Sequence, residues 1–442
     1  MSRLLLISYL FPPAGGIGVQ RALSLAKYLP ECGFEIHVLK ARNAAVPAHD
    51  AGLLEQIPPS VRVHEAFTPE LPFAFRQKLW KWFSRDKSRM ATTSGEPARR
   101  AAWWKRAPLE MGRRILCPEP EILWVPFALR RARAIVRKYD IEAVLVTAPP
   151  FSAFLVGTAL KREFPHLKLI SDFRDEWLSY YLKDFDFQSG DYTRRRAEGI
   201  ERETVESSDL VVAVAGSSLA AIRQRYPDQP EGKFRCISNG YDPEAFAGFT
   251  PRKHGGTKVL ITYVGTVYKP ASPRYFLDAL DGLPEEIRSR VETRFIGRIA
   301  EGERGVFDSR KSDVRILEFM PQAEARRYME DTDYLLLNMT NDITLPGKLF
   351  EYLATGKPIL ALSPAGGEVD RILTQTGAGW CVEPNDPVAI RKVLLRLCDP
   401  AGDGQGSITP NLEAIRRYER PRLASEYGEA IHSLSGGKSV SA

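Results

Sequence analysis

The stretch from Tyr334 to Leu362 constrains this chain most. Tyr334-Leu-Leu-Leu-Asn-Met339 has the apolar run of a buried strand. Leu345-Pro-Gly-Lys-Leu-Phe-Glu-Tyr-Leu-Ala-Thr-Gly356 then predicts a short helix that opens at Pro346 and ends near Gly356, and Pro358-Ile-Leu-Ala-Leu362 starts another strand. Proline suits a first helical turn because it has no N–H to satisfy. A helix start of this kind leaves backbone N–H groups free and attracts an anion. Lys348 adds positive charge there. Glu351, one turn on, can accept hydrogen bonds from the vicinal hydroxyls of a sugar. Phosphate plus ribose is the chemistry of a nucleotide. The same pattern also fits an ordinary strand–helix–strand unit with a surface lysine and a solvated glutamate, and this segment alone does not choose between the two.

The opposite end of the chain adds a second unit of the same kind. Arg3 to Tyr9 reads as a strand, Phe11-Pro-Pro-Ala-Gly-Gly-Ile-Gly18 as a glycine-rich loop, and Val19 to Leu29 as a helix. Its apolar positions are Val19, Ala22, Leu23, Leu25, Ala26 and Leu29, and Gly33 is placed to stop it. Phe34 to Leu39 is the next strand. Glycines at the carboxyl end of a strand let backbone approach a ligand closely.

Strand and helix patterns alternate over residues 1–240, with strands expected at 3–9, 34–39, 143–147, 168–172, 210–214 and 234–237. Asn239-Gly-Tyr-Asp-Pro243 is a turn cluster, and the stretch to Gly256 has a linker's composition. A second alternation follows, with strands near 258–264, 292–296, 314–318, 334–339, 358–362 and 380–383, then a last helical pattern from Asn411. The chain is therefore read as α/β.

Six ordered blocks together resemble family 4 of the retaining glycosyltransferases. They are Tyr9-Leu-Phe-Pro-Pro-Ala-Gly-Gly-Ile-Gly-Val-Gln-Arg21, Thr147-Ala-Pro-Pro-Phe-Ser152, Asp172-Phe-Arg-Asp-Glu-Trp177, Ser238-Asn-Gly-Tyr-Asp242, Tyr263-Val-Gly-Thr266 and Lys348-Leu-Phe-Glu-Tyr-Leu353. The resemblance implies the GT-B fold, in which two Rossmann-like doubly wound domains face a central cleft. It implies an acceptor-side domain over 1–240, a nucleotide-sugar domain over 257–410, and a final helix over 411–432 that crosses back to the first domain.

It further implies a retaining transfer of a hexose-type sugar from a nucleotide diphosphate to an acceptor hydroxyl, with the nucleotide sugar as donor substrate and no separate cofactor. Glu351 matches the residue that binds the donor ribose. Lys348, Leu349 and Phe350 match the helix start that faces the diphosphate. Gly15 and Gly16 match the loop that closes over the phosphates, and Gly265 ends a strand of the donor domain. Asp172, Arg174 and Asp175 are candidates for orienting the acceptor; an Arg–Asp pair that merely fixes the loop explains them equally well. Two other readings stay open: a nucleotide-sugar epimerase of the same fold, and a non-catalytic sugar-nucleotide-binding subunit of a glycan assembly complex.

The chain departs from the family pattern in two places. The family's first glutamate of a Glu-x7-Glu pair falls on Ile343, which leaves the donor sugar open. The usual basic diphosphate clamp is replaced by Lys269, Arg274 or Arg298 as candidates. Asp184-Phe-Asp186 and Asp331-Thr-Asp333 match an Asp-x-Asp metal motif, but neither follows an apolar strand, so both are read as chance and no catalytic metal is expected.

Composition bounds the rest. With 442 residues, 44% hydrophobic and 26% charged, the chain can bury a sizeable core in each of two to three domains. Its five scattered cysteines contain no Cys-x-x-Cys, which suits a reducing cytoplasm. Ala143 to Leu160 is uncharged, but Pro149-Pro150 interrupts it, so strand, loop and helix are expected there rather than a membrane span. The net charge of +7 is concentrated between Arg76 and Leu116, where 12 Lys/Arg stand against three acids and are interleaved with Trp80, Trp82, Trp103 and Trp104. Cations with interfacial aromatics point to anionic lipid headgroups. No nucleic-acid motif accompanies them, and a solvated insertion is the plainer alternative. The expected setting is cytoplasmic or peripheral on the inner face of the membrane, with a lipid-linked or cell-envelope glycan as acceptor.

Overall fold

The computed structural model describes residues 1–46, 49–69, 114–181, 191–341, 345–398 and 408–434. The chain divides into two compact units. The first holds residues 1–214, 218–237 and 424 onward; the second holds 215–217 and 238–423.

In the first unit seven strands form one sheet: β1 (Ser2–Ser8), β2 (Phe34–Ala41), β3 (Arg62–Ala66), β4 (Ala143–Ala148), β5 (Lys168–Phe173), β6 (Leu210–Ala213) and β7 (Phe234–Cys236). Their order is β3-β2-β1-β4-β5-β6-β7, and every pairing is parallel. Leu4 to Ile7 are completely buried. This is the continuous apolar run of a strand covered on both faces by helices. The chain reverses direction across the sheet between β1 and β4. Ligands of such folds sit outside the strand carboxyl ends at this point.

The second unit repeats the plan with β8 (Val259–Val264), β9 (Val291–Ile296), β10 (Asp313–Leu317), β11 (Tyr334–Asn338), β12 (Ile359–Leu362) and β13 (Gly379–Val382). The order is β10-β9-β8-β11-β12-β13, again all parallel. The switch point lies between β8 and β11.

Every strand expected from the sequence is present within two residues of its expected bounds. β3 was not expected. It is an edge strand paired only to β2, with Arg62, Val63 and Glu65 exposed, so it carries no continuous apolar run. The expected single last helix is two, Leu412–Arg416 and Arg420–Ser433. Pro421 in the first turn of the second has no N–H to continue the first, and it restrains the residue before it. Residues from 424 belong to the first unit. Among the described residues no helix is long and apolar enough to cross a membrane.

Candidate functional site

The second unit's site is built at the carboxyl end of β8 and the helix Lys348–Ala354 that follows β11. Gly265 ends β8 at φ +134, and a Cβ there would stand 3.0 Å from the Lys348 Nζ. Glycine suits this positive φ, and its missing side chain lets the lysine end approach the backbone. The Lys348 ammonium donates to the Tyr263 hydroxyl and lies 4.1 Å from that ring's centre. The hydroxyl in turn donates to the Thr266 carbonyl at 2.8 Å. Burial pushes the Lys348 pKa down to about 7, and Glu351 only partly offsets this. A half-buried ammonium over an aromatic face, with no ion pair among the described residues, could take an anion as its counter-ion.

Glu351 lies one turn along the same helix. Its Oε1 accepts from Gln322 Nε2 at 3.0 Å. Burial raises its pKa, while Arg420, Arg326 and Lys348 act in the opposite direction. Leu349 and Phe350 are fully buried in the core. Their N–H groups already donate to the Pro346 and Gly347 carbonyls. The free N–H groups expected at 347–350 are therefore not supplied by these two residues, because the first turn is tightened onto itself. Lys269 and Arg274 are exposed, and their side chains carry no hydrogen bond or ion pair among the described residues. Arg298 follows β9 and places its guanidinium 4.8 Å from the centre of the exposed Phe319 ring. Gln322, Arg326 and Arg420 were not singled out from the sequence, and Tyr263 opens a quoted block without a role assigned to it. Gln322 and Arg326 share one helix face just after β10, a spacing that could have marked them.

The first unit carries the other candidates. Gly15 and Gly16 lead into the helix Ile17–Tyr28, and Gly16 is exposed. Asp172, near the end of β5, is completely buried. Its Oδ2 accepts from Arg21 Nε at 2.9 Å and from Thr147 Oγ1 at 2.7 Å. Its Oδ1 accepts from an Arg21 terminal nitrogen at 2.8 Å and from the Tyr427 hydroxyl at 2.7 Å. Burial works to raise the Asp172 pKa, but Arg21 and these donors outweigh it and hold the group ionised, below the usual carboxylate range. Four donors occupy its two oxygens, so Asp172 is placed as a scaffold residue and presents nothing to a substrate.

Arg174 donates to the carbonyls of Gly18 and Pro149. Asp175 makes no hydrogen bond among the described residues. Burial raises its pKa; Arg174 counters this and Asp172 adds to it. Of the three acceptor-side candidates, Asp175 alone keeps an unfilled carboxyl. Arg21 stands in a block quoted from the sequence, but nothing marked Tyr427 as its partner across 406 positions.

Asp333 accepts from the His254 and Leu260 N–H groups at 3.1 and 2.9 Å, and Asp331 pairs with His254. That aspartate pair is engaged in structure at the start of β8. Asp184, Asp186, Ile343 and residues 76–113 lie outside the described residues. Among the described residues no group of three or more His, Cys, Asp or Glu could hold a metal.

Residues 87–245 match Glycosyltransferase Family 4, and residues 258–399 match Glycosyl transferases group 1. The probable glycosyltransferase WbjE of Pseudomonas aeruginosa is 34% identical over 89 residues, which are 20% of this chain and 22% of that protein. The amylovoran biosynthesis glycosyltransferase AmsK of Erwinia amylovora is 29% identical over 123 residues, 27% of this chain and 28% of that one. The matched stretches thus span only about a quarter of these curated relatives.

Solved structures align over nearly the whole length. Sucrose-phosphate synthase from Thermosynechococcus elongatus has a TM-score of 0.65 at 14% identity, covering 98% of this chain and 99% of that one. Anabaena HepE in complex with UDP and glucose has a TM-score of 0.61 at 14% identity, covering 98% and 100%. At such identities the likeness is one of fold. Two families matched in tandem, each on its own doubly wound sheet, place the conclusion: the chain belongs to the GT-B-fold glycosyltransferases of the group 1 and family 4 superfamily.

Proposed function

We propose that this chain is a retaining glycosyltransferase that moves a sugar from a nucleotide diphosphate to an acceptor hydroxyl, in the synthesis of a cell-envelope or extracellular glycan. The observation that carries the reading is the half-buried Lys348 ammonium, which has no ion pair among the described residues and stands against Gly265, one helical turn from Glu351. The diphosphate is its counter-ion, and the ribose hydroxyls take the place of Gln322 on the Glu351 carboxylate. The nucleobase lies against Phe319 and the Arg298 guanidinium. That reassigns Arg298 from the phosphates to the base and leaves Lys269 and Arg274 as outer phosphate contacts.

In the transfer, the bond between the sugar's C1 and the phosphate oxygen breaks and a bond from C1 to the acceptor oxygen forms on the same face. The acceptor proton goes to the leaving phosphate oxygen. Lys348 stabilises the charge that grows on the diphosphate, which lowers the barrier because the charge is greater in the transition state than in the ground state. No divalent metal is needed for that. Asp175 accepts a hydrogen bond from the acceptor and orients it.

The names of the relatives support the setting. AmsK is named for amylovoran biosynthesis, and HepE is seen with UDP and UDP-glucose. The basic, tryptophan-rich segment 76–116 supports an acceptor carried at an anionic membrane surface. Isothermal titration against UDP, GDP, dTDP and CMP compounds tests the reading. Binding of one class, weakened in Lys348→Met and in Glu351→Ala, supports it; a chain that binds none of them overturns it.

A further inference from the structure

The acceptor-side loop is held from the far end of the chain. Asp172 and Arg21 form a buried bidentate ion pair, with hydrogen bonds of 2.9 and 2.8 Å. The Tyr427 hydroxyl joins both partners. It donates to Asp172 at 2.7 Å and accepts from an Arg21 terminal nitrogen, which also donates to the Ile237 carbonyl at 2.8 Å. Thr147 closes the set from β4. Tyr427 itself is fixed by its helix. Gly428 packs on Cys32, and the His432 ring stacks on Phe34 at 4.5 Å.

Two residues beyond Asp172, Arg174 repeats the linkage. It reaches the Gly18 carbonyl, three residues before Arg21, and the Pro149 carbonyl, two residues after Thr147. Its own N–H donates to the Ala148 carbonyl at 2.9 Å. The start of the helix that follows the glycine-rich loop, the Pro149-Pro150 loop and the Arg174-Asp175 turn are thus tied to one buried charge pair. All the members lie within the first unit.

We infer that Arg21, Asp172, Thr147 and Tyr427 form a positioning network that sets the Asp175 carboxyl and the glycine-rich loop in register for transfer, with Tyr427 as its remote lock. The inference rests on the transferase reading above. Tyr427 touches no substrate; it acts through Asp172. A residue of the C-terminal helix thereby controls acceptor geometry, while the donor contacts at Lys348 and Glu351 belong to the other unit and are left alone. Small misplacements of an orienting group cost rate rather than donor binding.

The test is kinetic. The wild-type chain is assayed for hydrolysis of UDP-glucose, UDP-galactose and GDP-mannose, water being the simplest acceptor. With the donor it turns over, Tyr427→Phe is expected to lower kcat by about tenfold or more while the donor KM stays within about twofold. Thr147→Val, which removes one donor to Asp172 and keeps the shape, is expected to act in the same direction. It also decides the matter if Tyr427→Phe does not fold. A merely structural network would lower Tm in both variants and leave kcat unchanged at temperatures where they are folded. That result overturns the inference and leaves the transferase reading standing. A wild type that hydrolyses none of the three donors overturns the inference; one that binds no UDP, GDP, dTDP or CMP compound overturns the transferase reading as well.

Discussion

The Lys348 ammonium hydrogen-bonds the Tyr263 hydroxyl and sits 4.1 Å from the centre of its ring. Burial, only partly countered by Glu351, brings its pKa to about 7. A charge so placed exchanges water for a phenol, an aromatic face and, when the site is filled, a diphosphate.

This predicts a pH dependence of donor binding. A bound diphosphate raises the Lys348 pKa, so binding takes up a proton whenever the free lysine is neutral. Affinity should be level below pH 7 and fall above it, by at most about tenfold per pH unit. The measurement is titration with a nucleotide sugar, whose phosphates do not titrate in this range, in buffers of different ionisation enthalpy. Affinity that rises with pH, or no proton uptake at pH 8, would remove Lys348 from the phosphates.

Glu351→Ala should weaken nucleotide binding by about 1.5–3 kcal/mol, the worth of hydrogen bonds to a charged group. The substitution also removes the negative charge that Arg326 and Arg420 favour. Far-UV circular dichroism should be unchanged. Titration with UDP against wild type checks it, and an unaltered affinity would sink the ribose assignment.

Gly240→Ala should destabilise the second unit. A Cβ at Gly240 would stand 2.2 Å from the Tyr418 carbonyl oxygen and 2.6 Å from a Leu423 methyl. The backbones run together there, with Tyr241 N–H donating to Tyr418 and Arg420 N–H donating back to Tyr241. A cost of about 1–3 kcal/mol is expected from such overpacking. Thermal melts should show it as a lower Tm. A variant as stable as wild type would mean that the 418–420 segment does not lie against the Ser238–Asp242 block.

The 76–116 segment should bring the protein to anionic vesicles. Each basic residue near such a surface contributes about 1 kcal/mol, screened by salt. Co-sedimentation should rise with the fraction of phosphatidylserine and fall as salt rises. Indifference to both would confine the acceptor to solution.

The strands were legible because most of them lie inside parallel sheets, where burial on both faces writes a continuous apolar run. β3, half-exposed at an edge, wrote no such run and went unread. The proposed donor site was partly legible. Lys348 and Glu351 share one short helix, so their spacing in sequence is their spacing in space. Gln322, which donates to that carboxylate, and Arg326 and Arg420, whose charges favour its ionised form, come from other segments, and no local pattern announces them.

The class of fold, the two alternating halves and the local geometry of each strand–loop–helix follow from periodicity, glycine placement and proline's missing N–H, which are properties of neighbours along the chain. Tertiary structure decided which polar residues are available to a ligand. Asp172 and Asp175 stand three apart in one block and read alike. Only the approach of Arg21, Thr147 and Tyr427, from three distant segments, fills the first carboxylate and leaves the second without a hydrogen bond among the described residues. Filling a buried carboxylate is a matter of which donors arrive within 3 Å of it, and chain separation places no limit on that.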